Sequence, residues 1–162
     1  MSGTIIIGAG QAGSAAAAKL RNLGYEGDVT LIGAETAPPY QRPPLSKKYM
    51  LGEMELERLY LRPIDFYETN NITLRLGTKV DAIDTTEQSI LVQGETLAYD
   101  NLILTTGSWP RRLPAKIGGD LAGVYSMRDL ADADAMAEEF QEGRRTLIIG
   151  GGYIGLEAAS VA

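Results

Sequence analysis

Cysteine and histidine are both absent from the 162-residue sequence. Their absence excludes the usual zinc sites, cysteine or histidine nucleophiles and any redox-active disulfide within these residues. We therefore expect no metal site. Any redox chemistry must be carried by a cofactor and not by side chains.

The sequence also lacks long apolar runs and an excess of positive charge. No run approaches the roughly 20 apolar residues that span a bilayer, and the first residues lack the pattern of a secretory signal. Lysine and arginine number 15 against 21 aspartate and glutamate, a formal net charge of −6. We expect a cytoplasmic protein that binds neither membranes nor nucleic acid, because phosphate contacts need a basic face. The oligomeric state is not readable.

Two glycine-rich motifs stand out against these absences. Residues 8–13 read Gly-Ala-Gly-Gln-Ala-Gly and residues 150–155 read Gly-Gly-Gly-Tyr-Ile-Gly. Each follows a short apolar run that predicts a buried strand, at residues 4–7 and 146–149, and each opens an alanine-rich helical stretch. In this strand–turn–helix context the motif is the fingerprint of a dinucleotide site. Two copies indicate an enzyme that holds two dinucleotides.

Each glycine of the first fingerprint has a predicted role. Gly8 allows the tight turn out of the strand, Gly10 lets the backbone approach a pyrophosphate, and Gly13 allows close contact between helix and strand. The start of the helix, with Gln11 and Ala12 in the turn, offers free N–H groups and a positive dipole end to the phosphates. A helix at residues 11–22 and a strand at 29–32 complete a β-α-β unit.

Glu35 is the predicted partner of this fingerprint. It follows the second strand, about 20 residues beyond the last glycine, where an acid accepts hydrogen bonds from ribose hydroxyls. The alternative is that Glu35 is an exposed loop acid.

The rest of the chain predicts an α/β fold with a doubly wound, Rossmann-like sheet. Four prolines make residues 37–46 an extended loop, and short helices are expected at 47–52 and 63–70. The remaining predicted strands are 72–76, 79–83, 89–92, 96–99 and 101–105, with a small antiparallel insertion around 89–99. A connector at 113–123 and an amphipathic helix at 129–141 precede the second fingerprint.

Three segments resemble the FAD-dependent, NADH-using ferredoxin reductases. The most specific is Arg-Pro-Pro-Leu-Ser-Lys at residues 42–47. Residues 102–108 resemble the family's Ala-Thr-Gly segment, with Thr105 standing where alanine is more common, and residues 150–157 resemble its NAD fingerprint. The resemblance extends over the whole chain but over only part of a family member.

The resemblance implies FAD at the first fingerprint, NADH at the second, and electron transfer to a [2Fe–2S] ferredoxin that serves a ring-hydroxylating oxygenase or a P450. Besides the first fingerprint itself, it assigns these residues to FAD: Glu35, Arg42, Lys47, Val80, Thr106, Gly107 and Arg128. It assigns these residues to the nicotinamide nucleotide: Gly150, Gly152, Tyr153, Ile154, Gly155 and Glu157. NAD and NADP cannot be told apart, because the discriminating residue would lie beyond residue 162.

Lys47 and Glu157 are the implied catalytic residues. The resemblance places Lys47 near the reactive edge of the flavin and Glu157 at the nicotinamide amide. Other interpretations remain open: Lys47 as a solvated helix residue, Arg128 as a domain-packing residue, and Glu157 as a first-turn acid that complements the helix dipole.

The implied domains are an FAD-binding domain at residues 1–108, then a linker, the amphipathic helix and the start of an NAD(P)-binding domain at 109–162. We expect this chain to be incomplete, so a catalytically silent, truncated flavoprotein is one alternative. A disulfide reductase of the same two-nucleotide architecture is another. Residues 42–50 contain no cysteine, which excludes the type with an early cysteine. The type whose cysteine pair lies in the later domain stays open, although it lacks the Arg-Pro-Pro-Leu-Ser-Lys string.

Overall fold

A computed structural model describes residues 3–162 of the chain. The strands are β1 (Gly3–Ile7), β2 (Val29–Ile32), β3 (Ile72–Arg75), β4 (Val80–Asp84), β5 (Ser89–Val92) and β6 (Glu95–Leu104). The helices are α1 (Gln11–Asn22), α2 (Asp65–Thr69), α3 (Leu130–Ala137) and α4 (Tyr153–Val161). A π-helical turn spans Leu45–Tyr49, and single 3₁₀ turns span Leu56–Leu59 and Ala115–Ile117.

The six strands form one mixed sheet in the order β3-β2-β1-β6-β5-β4. β3, β2, β1 and the second half of β6 are parallel, whereas β6, β5 and β4 are antiparallel. The predicted strands 96–99 and 101–105 are therefore one continuous strand, because no glycine or proline interrupts the chain at Asp100. The α/β, Rossmann-like fold with an antiparallel extension is confirmed.

The sheet has an apolar cluster on each face. On one face Ile6 and Leu31 pack against Ala17 of α1 and Tyr67 of α2. On the other face the buried side chains come from the parallel strands β1 and β2 and from the antiparallel part of the sheet: Ile5, Ile32, Ile90, Val92 and Tyr99. Because side chains alternate along a strand, neighbouring residues of β1 contribute to opposite clusters.

The chain divides into two compact units. The first comprises residues up to 41 together with 60–107, and the second comprises residues 42–59 together with 108–162. The first fingerprint belongs to the first unit and the second fingerprint to the second. Residues 42–59 group with the C-terminal part of the chain, a division by compactness that differs from the predicted functional boundary at residue 108.

The strand predicted at residues 146–149 and the helix predicted at 129–141 also differ from the structure. Residues 146–149 do not form the predicted strand, and Leu147 is 85% exposed. A strand is stabilised by its hydrogen-bonded neighbours, and nothing in residues 3–162 pairs with this segment. α3 begins as predicted, with Asp129 and Asp132 forming a capping box. It ends near Ala137, where acidic residues follow, because negative side chains are unfavourable near the negative end of the helix dipole.

No helix within residues 3–162 is long and apolar enough to cross a membrane. The same residues contain no group of three or more acidic side chains placed to hold a metal ion.

Candidate dinucleotide sites

The first fingerprint forms a tight turn in which backbone conformation or packing requires glycine at some positions but not at all of them. Gly8 has a φ of 115°, in the region that side chains rarely adopt. A Cβ at Gly13 would overlap the carbonyl oxygen of Gly8. A Cβ at Gly10 would meet nothing within 4 Å. The protein therefore leaves open space at the one glycine predicted to face a pyrophosphate.

The N-terminus of α1 is open in the same way. Gly10 is the N-cap and offers no side-chain acceptor, and the first helical hydrogen bond runs from the amide of Ser14 to the Gly10 carbonyl at 3.0 Å. The N–H groups of Gln11 and Ala12 precede that bond and have no partner within the helix. This arrangement suits an anion at the helix end.

Thr105 supports the fingerprint turn, a role that the sequence did not reveal. Its hydroxyl donates to the carbonyl oxygens of Gly8 at 2.8 Å and Ile7 at 3.1 Å. The predicted cofactor contacts Thr106 and Gly107 follow directly. They lie beside the turn because Leu104 of β6 is in register with Ile7 of β1.

The end of β2 places Glu35 close to the same turn. The amide of Gly8 donates to the carbonyl of Ile32 at 2.8 Å, and a Cβ added at Gly33 would collide with Ala9. The carboxylate of Glu35 accepts a hydrogen bond from the buried phenol of Tyr40. Glu35 is therefore held by a specific side-chain contact, unlike a simple exposed loop acid.

Val80 lies at the start of β4, where the pairing with β5 is irregular. Its side chain packs against the apolar cluster of that face of the sheet. A contact between Val80 and FAD would therefore use the backbone, and this role stays a prediction.

The second fingerprint repeats the turn of the first. Gly150 has a φ of 123°, close to the 115° of Gly8. A Cβ at Gly155 would overlap the carbonyl oxygen of Gly150, and Gly152 is the N-cap of α4, as Gly10 is of α1. The sequence motif thus forms the same local turn even though residues 146–149 are not a strand. The exposed Tyr153 and Ile154 begin α4 immediately after this turn.

Lys47 and Glu157, the two predicted catalytic residues, form an ion pair of 3.0 Å between the π-helical turn and α4. Their side chains are 49% and 28% exposed. Glu157 lies beyond the first turn of α4, which contains no acidic residue, so it does not act as a first-turn dipole partner. Lys47 has φ −134° and ψ −116°, so it is not an ordinary solvated helix residue either.

Ser46 completes this contact and was not singled out from the sequence. Its buried hydroxyl donates to Oε2 of Glu157 at 2.6 Å, while Lys47 bonds Oε1. The hydrogen bond from Ser46, followed by the bond from Lys47, lowers the pKa of Glu157 below its ordinary value of 4.5. Glu157 is therefore held as a carboxylate at neutral pH.

Arg42 and Arg128 lie together in the second unit. The guanidinium of Arg42 donates to the carbonyl oxygen of Arg128 at 2.7 Å, and the amide of Arg128 donates to Asp132 at 2.8 Å. The contact orders the segment before α3. A role for either side chain in binding FAD stays a prediction.

Two surface cavities of about 480 Å³ each lie in the first unit. One is lined by β4 and β5, the other by the strand threonines Thr30 and Thr73 and by Arg75. No predicted site residue lines either cavity, so neither coincides with a fingerprint turn.

The model of the pyridine nucleotide-disulphide oxidoreductase family matches residues 3–162. The chain belongs to this family. Its members use FAD and NAD(P)H, which confirms the resemblance drawn from the motifs.

Among relatives, the chain is 43% identical to a ferredoxin–NAD(P)(+) reductase of Sphingomonas sp, over 97% of this chain and 38% of that protein. It is 42% identical to a rubredoxin-NAD(+) reductase of Pseudomonas putida, over 98% of this chain and 41% of that protein. It also matches a solved structure, the covalent putidaredoxin reductase–putidaredoxin complex. That match has a TM-score of 0.93 and 41% identity and covers 99% of this chain and 39% of the solved one. The chain therefore spans about two-fifths of the length of these proteins.

Proposed function

We propose that this chain carries the FAD site and the nicotinamide-nucleotide fingerprint of an oxidoreductase. That enzyme would pass electrons from NADH through FAD to a [2Fe–2S] ferredoxin. The observation that carries the proposal is the repeated turn, in which Gly8 and Gly150, and likewise Gly13 and Gly155, have matching geometry. The names of the relatives support a nicotinamide nucleotide as donor and a small iron protein as acceptor.

The residues of the first unit fit the adenosine-diphosphate part of FAD. The open space at Gly10 and the N–H groups at the start of α1, which have no partner within the helix, would accept the pyrophosphate. Glu35 would accept the ribose hydroxyls. Bound FAD supplies the exchange between two-electron and one-electron transfer, which side chains cannot perform.

The ion pair of the second unit supplies fixed charges. An ammonium such as that of Lys47 beside a flavin favours its anionic reduced form and so adjusts its potential. The carboxylate of Glu157 would accept a hydrogen bond from the nicotinamide amide and orient it. Neither residue has to transfer a proton for hydride transfer to occur.

The domain assignment follows from these roles. We infer that residues 1–108 bind FAD and that residues 109–162 connect to and begin the nicotinamide-nucleotide domain.

The cytoplasmic location expected from the sequence stays a prediction.

Titration of the chain with FAD tests the cofactor assignment. We expect saturable binding with quenching of flavin fluorescence and co-elution of yellow protein on gel filtration. Failure of the folded chain to bind FAD would contradict the assignment.

Anaerobic addition of NADH to the FAD-loaded protein tests the reaction. We expect loss of the oxidised-flavin absorbance, followed by its recovery when an oxidised [2Fe–2S] ferredoxin is added. Recovery with rubredoxin but not with the ferredoxin would identify rubredoxin as the type of acceptor. Bound FAD that NADH does not reduce would support the catalytically silent alternative.

A further inference from the structure

The contact between Tyr40 and Glu35 lies beside the first fingerprint but was not foreseen from any motif. Tyr40 is only 4% exposed, and its hydroxyl donates to Oε2 of Glu35. A tyrosine hydroxyl bonded to an ionised carboxylate makes a charge-assisted hydrogen bond, stronger than one between neutral groups.

The backbone on the tyrosine side of this contact is fixed. Tyr40 pairs with Tyr60 in an isolated antiparallel bridge, and the carbonyl of Pro39 accepts the amide of Leu61 at 2.9 Å. The phenol is therefore directed by two backbone attachments as well as by burial.

The backbone on the glutamate side is fixed as well. The carbonyl of Glu35 accepts the amide of Gly77, and the carbonyl of Gly33 accepts the amide of Thr78, both at 2.8 Å. These backbone bonds do not fix the rotamer of the Glu35 side chain. A glutamate loses substantial rotamer freedom when it is ordered, a cost that ligand binding would otherwise bear.

We propose that Tyr40 is a positioning residue that holds the Glu35 carboxylate ready to accept the ribose hydroxyls of the dinucleotide at the first fingerprint. The inference rests on the proposed function. An ionised carboxylate has about four lone-pair sites on its two oxygens, so the bond from Tyr40 leaves acceptor capacity for a sugar hydroxyl. Pre-ordering of this kind raises affinity by removing an entropic cost from the binding step.

The chain offers a matched control in the paired tyrosine. Tyr40→Phe removes the hydroxyl that bonds Glu35 and keeps the ring, whereas Tyr60→Phe makes the same chemical change across the bridge. Glu35→Gln keeps the shape of the acceptor and removes its charge. Thermal melting tests whether each variant is folded.

Calorimetric titration with FAD, ADP and 2′-deoxy-ADP tests the proposal. We expect Tyr40→Phe to bind FAD about tenfold more weakly, equivalent to about 1.4 kcal/mol. We also expect its preference for ADP over 2′-deoxy-ADP to fall towards that of Glu35→Gln, whereas Tyr60→Phe keeps the wild-type preference. A smaller preference for the ribose hydroxyl is the readout that a purely structural role would not produce.

Three results would overturn the positioning role while the proposed function stands. They are wild-type affinity and preference in Tyr40→Phe, an equal loss for both nucleotides, or a Tyr40→Phe chain that does not fold. Absence of FAD and ADP binding in the folded wild-type chain would instead refute the proposed function, and the positioning role with it.

Discussion

At the scale of single residues, the glycines of the first fingerprint satisfy different requirements. Gly13 is surrounded by protein, with Thr105 Oγ1 2.9 Å and Leu31 Cδ1 3.0 Å from an added Cβ, and that Cβ would overlap the Gly8 carbonyl. We predict that Gly13→Ala lowers the free energy of unfolding by about 3 kcal/mol, because the added methyl overpacks a tight helix–strand contact. Urea unfolding followed by circular dichroism measures this change.

Gly10→Ala is the matched control for that substitution. Nothing lies within 4 Å of the added Cβ, and the φ of −96° is open to alanine. The substitution has one cost, which is that alanine is less favourable than glycine at the N-cap. We therefore expect a change in unfolding free energy below about 1 kcal/mol. FAD affinity should nevertheless fall, since the methyl occupies the space left for the pyrophosphate. Equal destabilisation by the two substitutions would show that the space beside Gly10 is not open in solution.

At the scale of elements, the carboxylate of Glu157 bonds α4 to the π-helical turn. Both oxygens of Glu157 are bonded, one to Ser46 and one to Lys47. Because the pKa of Glu157 is lower in the folded chain than its ordinary value of 4.5, this contact is stabilising above pH 4.5. It is lost as the pH falls through the lowered pKa.

Carbon-13 NMR titration of the glutamate carboxyls checks this prediction, with Glu157→Gln identifying the signal. We expect the Glu157 pKa to lie below 4.5 in the wild type and to rise in both Ser46→Ala and Lys47→Met. Both substitutions should raise it, since the hydrogen bond from Ser46 and the hydrogen bond and charge of Lys47 all lower the pKa of Glu157. An unchanged pKa in Ser46→Ala would show that the serine does not hold the carboxylate in solution.

The elements also show where the sequence was informative. α1 and β2 have the predicted bounds, because a β-α-β unit is encoded by local periodicity and by the glycines that bound it. The segment at 146–149 has the same apolar pattern as a strand but lacks a neighbour, and periodicity cannot report on a neighbour. Tyr40 and Ser46 were missed because their side-chain contacts are not encoded in any local motif. The partner of Ser46 is 111 residues away along the chain.

At the scale of the whole molecule, buried apolar side chains are rare in residues 108–162. Both apolar clusters of the sheet belong to the first unit. In residues 108–162, only Ala133 and Ala158 are buried, and several large apolar side chains are exposed, among them Leu147 and Ile149. Local opening costs least where few apolar contacts are buried, so residues 108–162 should open more readily than the sheet.

Hydrogen exchange followed by mass spectrometry measures this difference directly. We predict slow exchange in β1, β2 and the parallel half of β6, whose amides are bonded in a buried sheet, and fast exchange throughout residues 108–150. Residues 146–149 should exchange among the fastest, since no strand within residues 3–162 pairs with them. Dilution is the control, because exposed apolar residues in an unpaired segment can associate with a second chain. Protection of 146–149 that disappears on dilution would show self-association. Protection that persists would show a partner within the chain and contradict the prediction.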